Sequence, residues 1–238
     1  MEAYQIPMFD NVVQFPSSPR VDPVKRQTTS PIKDREVIES IKEKLLYSSK
    51  KYGYRNYMIF LFAINTALRM GDVLQTRLQD IWDESTQSIK SECSIFEEKT
   101  DKIADIDFSD ELKASLKEYI LSIPDRTPFT PLFPSRKTQP KSTLKDKDDT
   151  GCLDRKSYWR ILNSIGKELG VDHLACHSCR KTAAYHIYMQ YKGQLIEDQF
   201  SAIDVVQEIL NHSSSRTTLR YIGITPSVRK SVYKNLNL

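Results

Sequence analysis

Apolar residues recur at helical spacing along most of this chain and at alternate positions over one stretch near its middle. Val37, Ile38, Ile41, Leu45 and Leu46 mark one face of a helix. Ser30-Pro31 reads as its cap and first helical residue, and Gly53 as its stop. Tyr54 to Leu68 is apolar almost all round, the pattern of a helix buried on every side, and it delivers Arg69 to the edge of the core. Between residues 79 and 108 the period changes. Ile81, Ile89, Ile95 and Phe96, then Ile103, Ile106 and Phe108, predict short antiparallel strands with a tight turn at Lys99-Thr100-Asp101. Leu112, Leu116, Tyr119 and Ile120 predict a further helix, with Ser109 as cap and Asp110 and Glu111 in its first turn. Pro124 to Asp154 reads as loop, and helices follow over about 154–169, 177–191, 201–211 and 214–222, with a last one after Pro226. The predicted class is α+β, mostly α with a small antiparallel sheet at the edge.

Residues 1–30 break every period with prolines and predict a flexible arm; 31–225 predict one domain, and 226–238 a tail helix. In the tail, Val228, Val232, Tyr233 and Leu236 form one apolar stripe, too short to fold unaided, so it has to dock on its own domain or on a neighbouring protomer. At 238 residues there is ample chain for one core. A net charge of +4 with 28% charged residues does not announce a general polyanion binder, so any polyanion-binding surface must come from local clustering. Arg136, Lys137, Lys141, Lys145 and Lys147 form such a cluster, able to track a DNA backbone. Asp146, Asp148 and Asp149 interleave with them, which suits a solvated loop equally well. No run is apolar and long enough to span a bilayer and the start has no signal-peptide pattern, so the expectation is a soluble cytoplasmic protein without membrane partners.

Candidate chemistry concentrates in the C-terminal third, in HSCRK, EILNH and SSSRTTLRY. A tyrosine hydroxyl set beside two histidines and an arginine can cleave a phosphodiester covalently without a metal. The phenol is the nucleophile, and the cations hold the phosphate oxygens whose charge grows in the transition state. Among twelve tyrosines only Tyr221 combines a suitable interval from His212 with a short helical start; Tyr185, Tyr188 and Tyr191 read as packing residues. Cys176 and Cys179, with His173 and His177, have C-x-x-C spacing. Structural zinc sites draw ligands from two separated elements, and no second C-x-x-C exists, so no metal is expected and the cysteines read as interior residues.

These segments resemble the tyrosine recombinase (phage integrase) family. The first box matches T-A-L-R-M-G-D, with Arg69 as first arginine and Asp72 at the acidic position three residues on. The histidine-x-x-arginine box matches His177 to Arg180, and the leucine-glycine-histidine element appears as Leu210-Asn211-His212, with Asn in place of Gly. Tyr221 then arrives at the family's interval, and Lys99, rather than Lys102, matches the hairpin lysine.

The resemblance implies a catalytic set of Arg69, Lys99, His177, Arg180, His212 and the nucleophile Tyr221, with Asp72 orienting an arginine or histidine from behind. It implies two successive transesterifications through a 3′-phosphotyrosyl intermediate, with no ATP, metal or cofactor. His177 exchanges a proton with the tyrosine and Lys99 protonates the leaving 5′ oxygen. The partners implied are double-stranded DNA and further copies of the chain, four protomers on two sites. Larger members carry a helical domain of about a hundred residues before the first arginine box, whereas short members resembling this arrangement, the fimbrial phase-variation recombinases, lack it. Both a minimal recombinase and a catalytic fragment fit. Two alternatives are a type IB topoisomerase-like relaxing enzyme and a DNA-binding protein on the same scaffold that no longer cuts; the second predicts loss of at least one of the six residues, and all six are present.

Overall fold

The structure, a computed structural model, describes residues 29–136 and 151–223, together with Lys234. The arm up to residue 28, the loop lysines Lys137, Lys141, Lys145 and Lys147, and the tail apart from Lys234 lie outside the described residues.

Helix α1 (Arg35–Tyr47) is capped by Asp34, whose carboxylate accepts the Glu36 N–H at 2.8 Å. The expected cap at Ser30-Pro31 is therefore displaced. Its neighbour Ile32 is buried in the core and donates its N–H to Thr182 Oγ1 at 2.9 Å, so residues 29–33 are drawn along another helix before α1 starts. Gly53 also has a different duty from the one expected. It opens α2 (Gly53–Thr66) rather than ending α1, and a Cβ there would stand 1.9 Å from the Leu46 carbonyl oxygen. Only glycine lets the two backbones approach so closely.

Helix α2 is the buried centre that its sequence predicts. Met58, Ile59, Phe60, Phe62 and Ala63 are fully buried, and Phe62 meets Phe108 and Phe133 edge-on at 5.5 and 5.9 Å. Ala67 then turns the chain through a left-handed conformation (φ 54°), and Arg69 caps the short helix α3 (Met70–Gln75). Ile81, expected in a strand, belongs instead to a single turn, α4 (Leu78–Ile81), whose start is closed by Asp80 accepting the Arg77 N–H at 2.7 Å.

Strands β1 (Trp82–Asp83) and β2 (Ser88–Ile89) form one antiparallel ladder, and β3 (Cys93–Glu97) and β4 (Lys102–Ile106) a second, in which Glu97 faces Lys102 and Phe96 faces Ile103. Helix α5 (Asp110–Leu121) has the predicted Ser109 cap, and α6 (Arg155–Glu168) is capped by Asp154. Tyr158 of α6 is fully buried and donates to the Asn56 carbonyl of α2 at 3.0 Å. Helix α7 (Cys176–Tyr191) packs along α2 and is followed by a third ladder, β5 (Leu195–Ile196) with β6 (Phe200–Ser201). Helices α8 (Ala202–Ile209) and α9 (Ser215–Tyr221) close the described chain, packed on α7 around Ala183, Ala184, Val206 and Leu210. The class is mostly α with small antiparallel sheets, and the expected edge sheet is three separate two-stranded ladders among the described residues.

Candidate active site

Two turns of chain bring the two arginines together. Arg69 leaves the C-terminal end of α2, while Arg180 lies in the second turn of α7, which packs beside α2. Both converge on Glu97, the last residue of β3. Arg180 Nη1 donates to Glu97 Oε1 at 3.1 Å and its Nη2 to the Leu210 carbonyl at 2.8 Å. Arg69 Nη1 stands 2.9 Å from the same carboxylate oxygen, an ion pair whose N–H is not aligned on it. Burial pushes the Glu97 carboxyl up, but hydrogen bonds from Thr100 and Arg180 and the two arginine charges outweigh it and hold it below its ordinary range. Sequence reasoning missed Glu97. The signal was there: Cys93, Ile95 and Glu97 share the buried face of β3, and a carboxylate on such a face needs a cationic partner.

Asp72 is buried beside this cluster, and burial raises its pKa. Its Oδ1 accepts the Glu98 N–H at 3.2 Å, so it braces the β3–β4 turn. The expected bond to an arginine or histidine is not formed among the described residues. Lys99 sits in that turn, exposed, and its charge reaches His177; Lys102 is instead tied to Asn211 Oδ1 at 2.8 Å.

His212 is delivered by a helix ending. After α8 the Asn211 N–H returns to the Glu208 carbonyl at 2.8 Å and the His212 N–H to the Gln207 carbonyl at 3.0 Å, with Asn211 left-handed at φ 52°. This is a Schellman ending, whose left-handed position favours glycine and tolerates asparagine. The replacement of the usual Gly thus keeps the backbone and adds a side-chain oxygen for Lys102. Asn211→Gly is expected to leave the fold intact while freeing Lys102, whereas Asn211→Val should cost about 1–2 kcal/mol. Thermal melts of the two variants check this; equal stability of Val and Asn would contradict it. The His212 ring is fixed by Nδ1 against the buried Thr218 hydroxyl at 3.1 Å.

Tyr221 ends α9, half-buried between the two histidines. Its ring lies edge-on to His177 and His212, with centroids 5.0 and 4.9 Å away. Its hydroxyl is 2.9 Å from His177 Nε2, with Nδ1 at 3.3 Å. Burial pushes the phenol up to about 12, against the opposing charges of Arg180 and Arg69. His177 is partly open to solvent. Partial burial, then the charges of Lys181, Arg180, Lys99 and Arg69, push it down to about 4, so the ring is neutral near pH 7 and able to accept a proton. His212 is also lowered, by burial and then the two arginines.

Beside His177 a groove of about 400 Å³ is lined by Arg155, Lys156 and Trp159 of α6 and by Ala175 and Cys176. Sequence reasoning did not single out these two cations, because a basic pair in a first helical turn is common on surfaces. Arg136 is not part of the cluster. It lies within 6.0 Å of the Tyr52 ring, at the start of α2, while Arg69 follows its end, roughly 20 Å along the helix. Cys176 donates its thiol to the Arg155 carbonyl and Cys179 is fully buried in the core. Among the described residues no group of three or more His, Cys, Asp or Glu is placed to hold a metal ion.

A sequence profile described as "Phage integrase family" matches residues 34–227. This chain belongs to the phage integrase family. A curated member, "Probable integrase/recombinase YoeC" of Bacillus subtilis (strain 168), is 31% identical over 204 residues, 86% of this chain and 94% of that one. "Tyrosine recombinase XerA" of Pyrococcus furiosus is 25% identical over 196 residues, 82% of this chain but 59% of its own length. Among solved structures, a XerA recombinase superposes with TM-score 0.56 at 20% identity, over 92% of this chain and 68% of that one. XerH bound to palindromic difH substrate in a post-cleavage complex superposes with TM-score 0.58 at 18% identity, over 88% of this chain and 54% of the other. At these identities the structural likeness establishes a shared fold. This phage integrase family member spans nearly all of YoeC, about three fifths of the Pyrococcus furiosus XerA and about half of XerH.

Proposed function

We propose that this integrase-family chain is a site-specific DNA recombinase that cuts and rejoins double-stranded DNA through a 3′-phosphotyrosyl intermediate at Tyr221. The observation that carries the reading is the Tyr221 hydroxyl 2.9 Å from His177 Nε2, inside the field of Arg180 and Arg69. XerH, of the same fold, is described bound to difH substrate before and after cleavage, which supports duplex DNA as the ligand.

In this reading Tyr221 Oη attacks the scissile phosphorus and its proton passes to His177. The P–O5′ bond breaks, and Lys99 supplies the proton that the 5′ oxygen needs. Arg180, Arg69 and His212 donate to the non-bridging oxygens, whose charge grows as the bond to tyrosine forms. A guanidinium has five N–H donors, so Arg180 keeps some for phosphate while Glu97 and Leu210 hold two. The misaligned Nη1 of Arg69 can turn to a phosphate without breaking a hydrogen bond. Glu97 and Asp72 act by holding the arginines and the lysine-bearing turn in place. The groove with Arg155 and Lys156 suits a duplex backbone entering beside His177. The 5′ hydroxyl of a partner strand then attacks the phosphotyrosyl phosphorus and gives its proton back to Lys99, the P–Oη bond breaks, and His177 returns the proton to Tyr221. Each exchange conserves a phosphodiester bond, so no energy source or cofactor is called for. Exchange between two sites requires four protomers in a closed assembly. Such a protein acts where the chromosome is, in the cytoplasm and on the nucleoid when bound to DNA.

Incubation with a nicked suicide duplex, whose short 5′ fragment diffuses away after cleavage, should leave a protein band shifted by the DNA on a denaturing gel. A protein that binds the duplex but never shifts is a non-cutting DNA-binding protein. The two lysines can be separated in the same assay. Lys99→Ala should lose most adduct formation on ordinary DNA and regain it when the 5′ bridging oxygen is sulfur, because a thiolate leaves without protonation. Lys102→Ala should depend little on the sulfur, since Lys102 is committed to Asn211. Sulfur rescue of Lys102→Ala alone would transfer the acid's role to that residue.

A further inference from the structure

One cation beside the nucleophile has no part in the scheme above. Lys181 follows Arg180 on α7, and its ammonium lies 5.4 Å from the centroid of the Tyr221 ring. It is half-buried and donates to the Thr29 carbonyl at 2.6 Å. That carbonyl is itself fixed. Ile32, three residues on, is buried and bonded through its N–H to Thr182 Oγ1, and its carbonyl lies 3.0 Å from His186 Nε2. Lys33 stands over the Tyr185 ring at 5.4 Å. On the other side of this strap, Pro31 and Lys33 come within 4 Å of where a Cβ on Gly223 would be, just past the nucleophile. Residues 29–33 thus run along α7 and against the end of α9, and Lys181 is clamped between them and the tyrosine.

We propose that Lys181 is a positioning residue for the nucleophile, its ammonium held by the Thr29 carbonyl so that it fixes the Tyr221 ring against His177. This rests on the reading of Tyr221 as nucleophile. A cation over an aromatic face within about 6 Å is attracted by the ring quadrupole. The attraction grows as the phenol passes to phenolate, so Lys181 orients the ring in the ground state and favours its ionised form. The same charge acts on His177, which faces Arg69, Lys99, Arg180, Lys181 and the Tyr221 hydroxyl; Lys181 gives the largest of the charge effects keeping that ring neutral. The strap places a condition on this arrangement. Anything that lifts residues 29–33 from α7 releases Lys181 and with it the orientation of Tyr221, so the Thr29 carbonyl links this strap to the chemistry.

The test is single-turnover adduct formation on the suicide duplex, followed across pH, for Lys181→Met, Lys181→Arg and Tyr221→Phe, with duplex binding measured at several salt concentrations. Lys181→Met keeps the stem and loses the charge. It should form adduct about tenfold more slowly, the size expected for one partly desolvated cation–π contact. Its acid limb should also move to higher pH, because His177 gains protons more readily once Lys181 is neutral. Lys181→Arg should restore both, and duplex affinity should be unchanged throughout. Wild-type rate and an unmoved acid limb for Lys181→Met would overturn the proposal. So would weaker duplex binding with a salt slope reduced by about one, which marks a phosphate contact instead. Adduct from Tyr221→Phe would defeat the nucleophile assignment itself, a failure distinct from either.

Discussion

Tyr221→Phe should bind duplex DNA as well as the unaltered chain and form no covalent adduct. Only the hydroxyl is lost, and the ring contacts with His177, His212 and Lys181 stay. Removing a nucleophile that acts as one unit with its base costs on the order of 10⁶-fold in rate in a comparable hydrolase, which puts the variant below detection. Loss at other tyrosines should be far milder. On α7, Tyr188 packs against the Ala183, Val206 and Leu210 cluster and Tyr185 lies under Lys33, while Tyr119 and Tyr158 are buried with their hydroxyls on the backbone carbonyls of Leu132 and Asn56. A shifted band from Tyr221→Phe would move the nucleophile to another residue and dissolve the His177 pairing with it.

The second large effect is expected at the arginines, where rate and stability separate. Arg69→Ala and Arg180→Ala should each slow adduct formation by about a hundredfold or more, the scale of removing one donor to a developing oxyanion. Their folds should respond differently. Arg180 is 2% exposed and makes the aligned bond to Glu97, so its loss leaves a buried carboxylate poorly compensated and costs about 3 kcal/mol or more. Arg69, 23% exposed and misaligned on Glu97, should cost less. Lysine at either position restores charge but not the planar fork and should rescue poorly. Acid titration gives an independent check. Glu97 has a folded pKa below its unfolded value of about 4.5, so the stability it contributes is complete above that pH and lost as pH falls through the folded value. Without Arg180 the folded value rises, and that contribution should shrink and disappear at higher pH. Single-turnover rates with thermal and acid melts measure all of this. Full rescue by lysine would show that generic charge suffices.

The helices and the hairpin were legible because their signals are local. The all-round apolar run of α2, the alternation through β3 and β4 and the Ser109 cap each depend on neighbours a few residues apart. The misplacements share a cause in contacts distant in sequence. Ser30-Pro31 failed as a cap because Ile32 is held by Thr182 on α7. Gly53 has the pattern of a helix stop, whereas its reason is a backbone carbonyl of α1 pressed against it. The β5–β6 hairpin was missed because its turn uses Glu197 and Asp198 at positive φ, without the glycine or asparagine that advertises such a turn. The six candidate residues are legible from motif order, intervals and the hairpin's alternation, and the structure brings Arg69, His177, Arg180, His212 and Tyr221 into one cluster with Lys99 at its rim. What order could not reveal was the buried Glu97 that holds the two arginines, or Lys181 beside the nucleophile, since each has meaning only through residues far along the chain. The Asn211 departure is the instructive exception. An asparagine in the usual glycine's place is explained by a backbone angle that both residues adopt.

The central claim is that Tyr221 becomes covalently joined to DNA. The most direct measurement is mass spectrometry of the adduct formed on the suicide duplex, after nuclease and protease digestion, to locate the residue carrying the nucleotide remnant. The account predicts a 3′-linked nucleotide on the peptide containing Tyr221 and nowhere else. A remnant on any other residue, or a 5′ linkage at Tyr221, would contradict it.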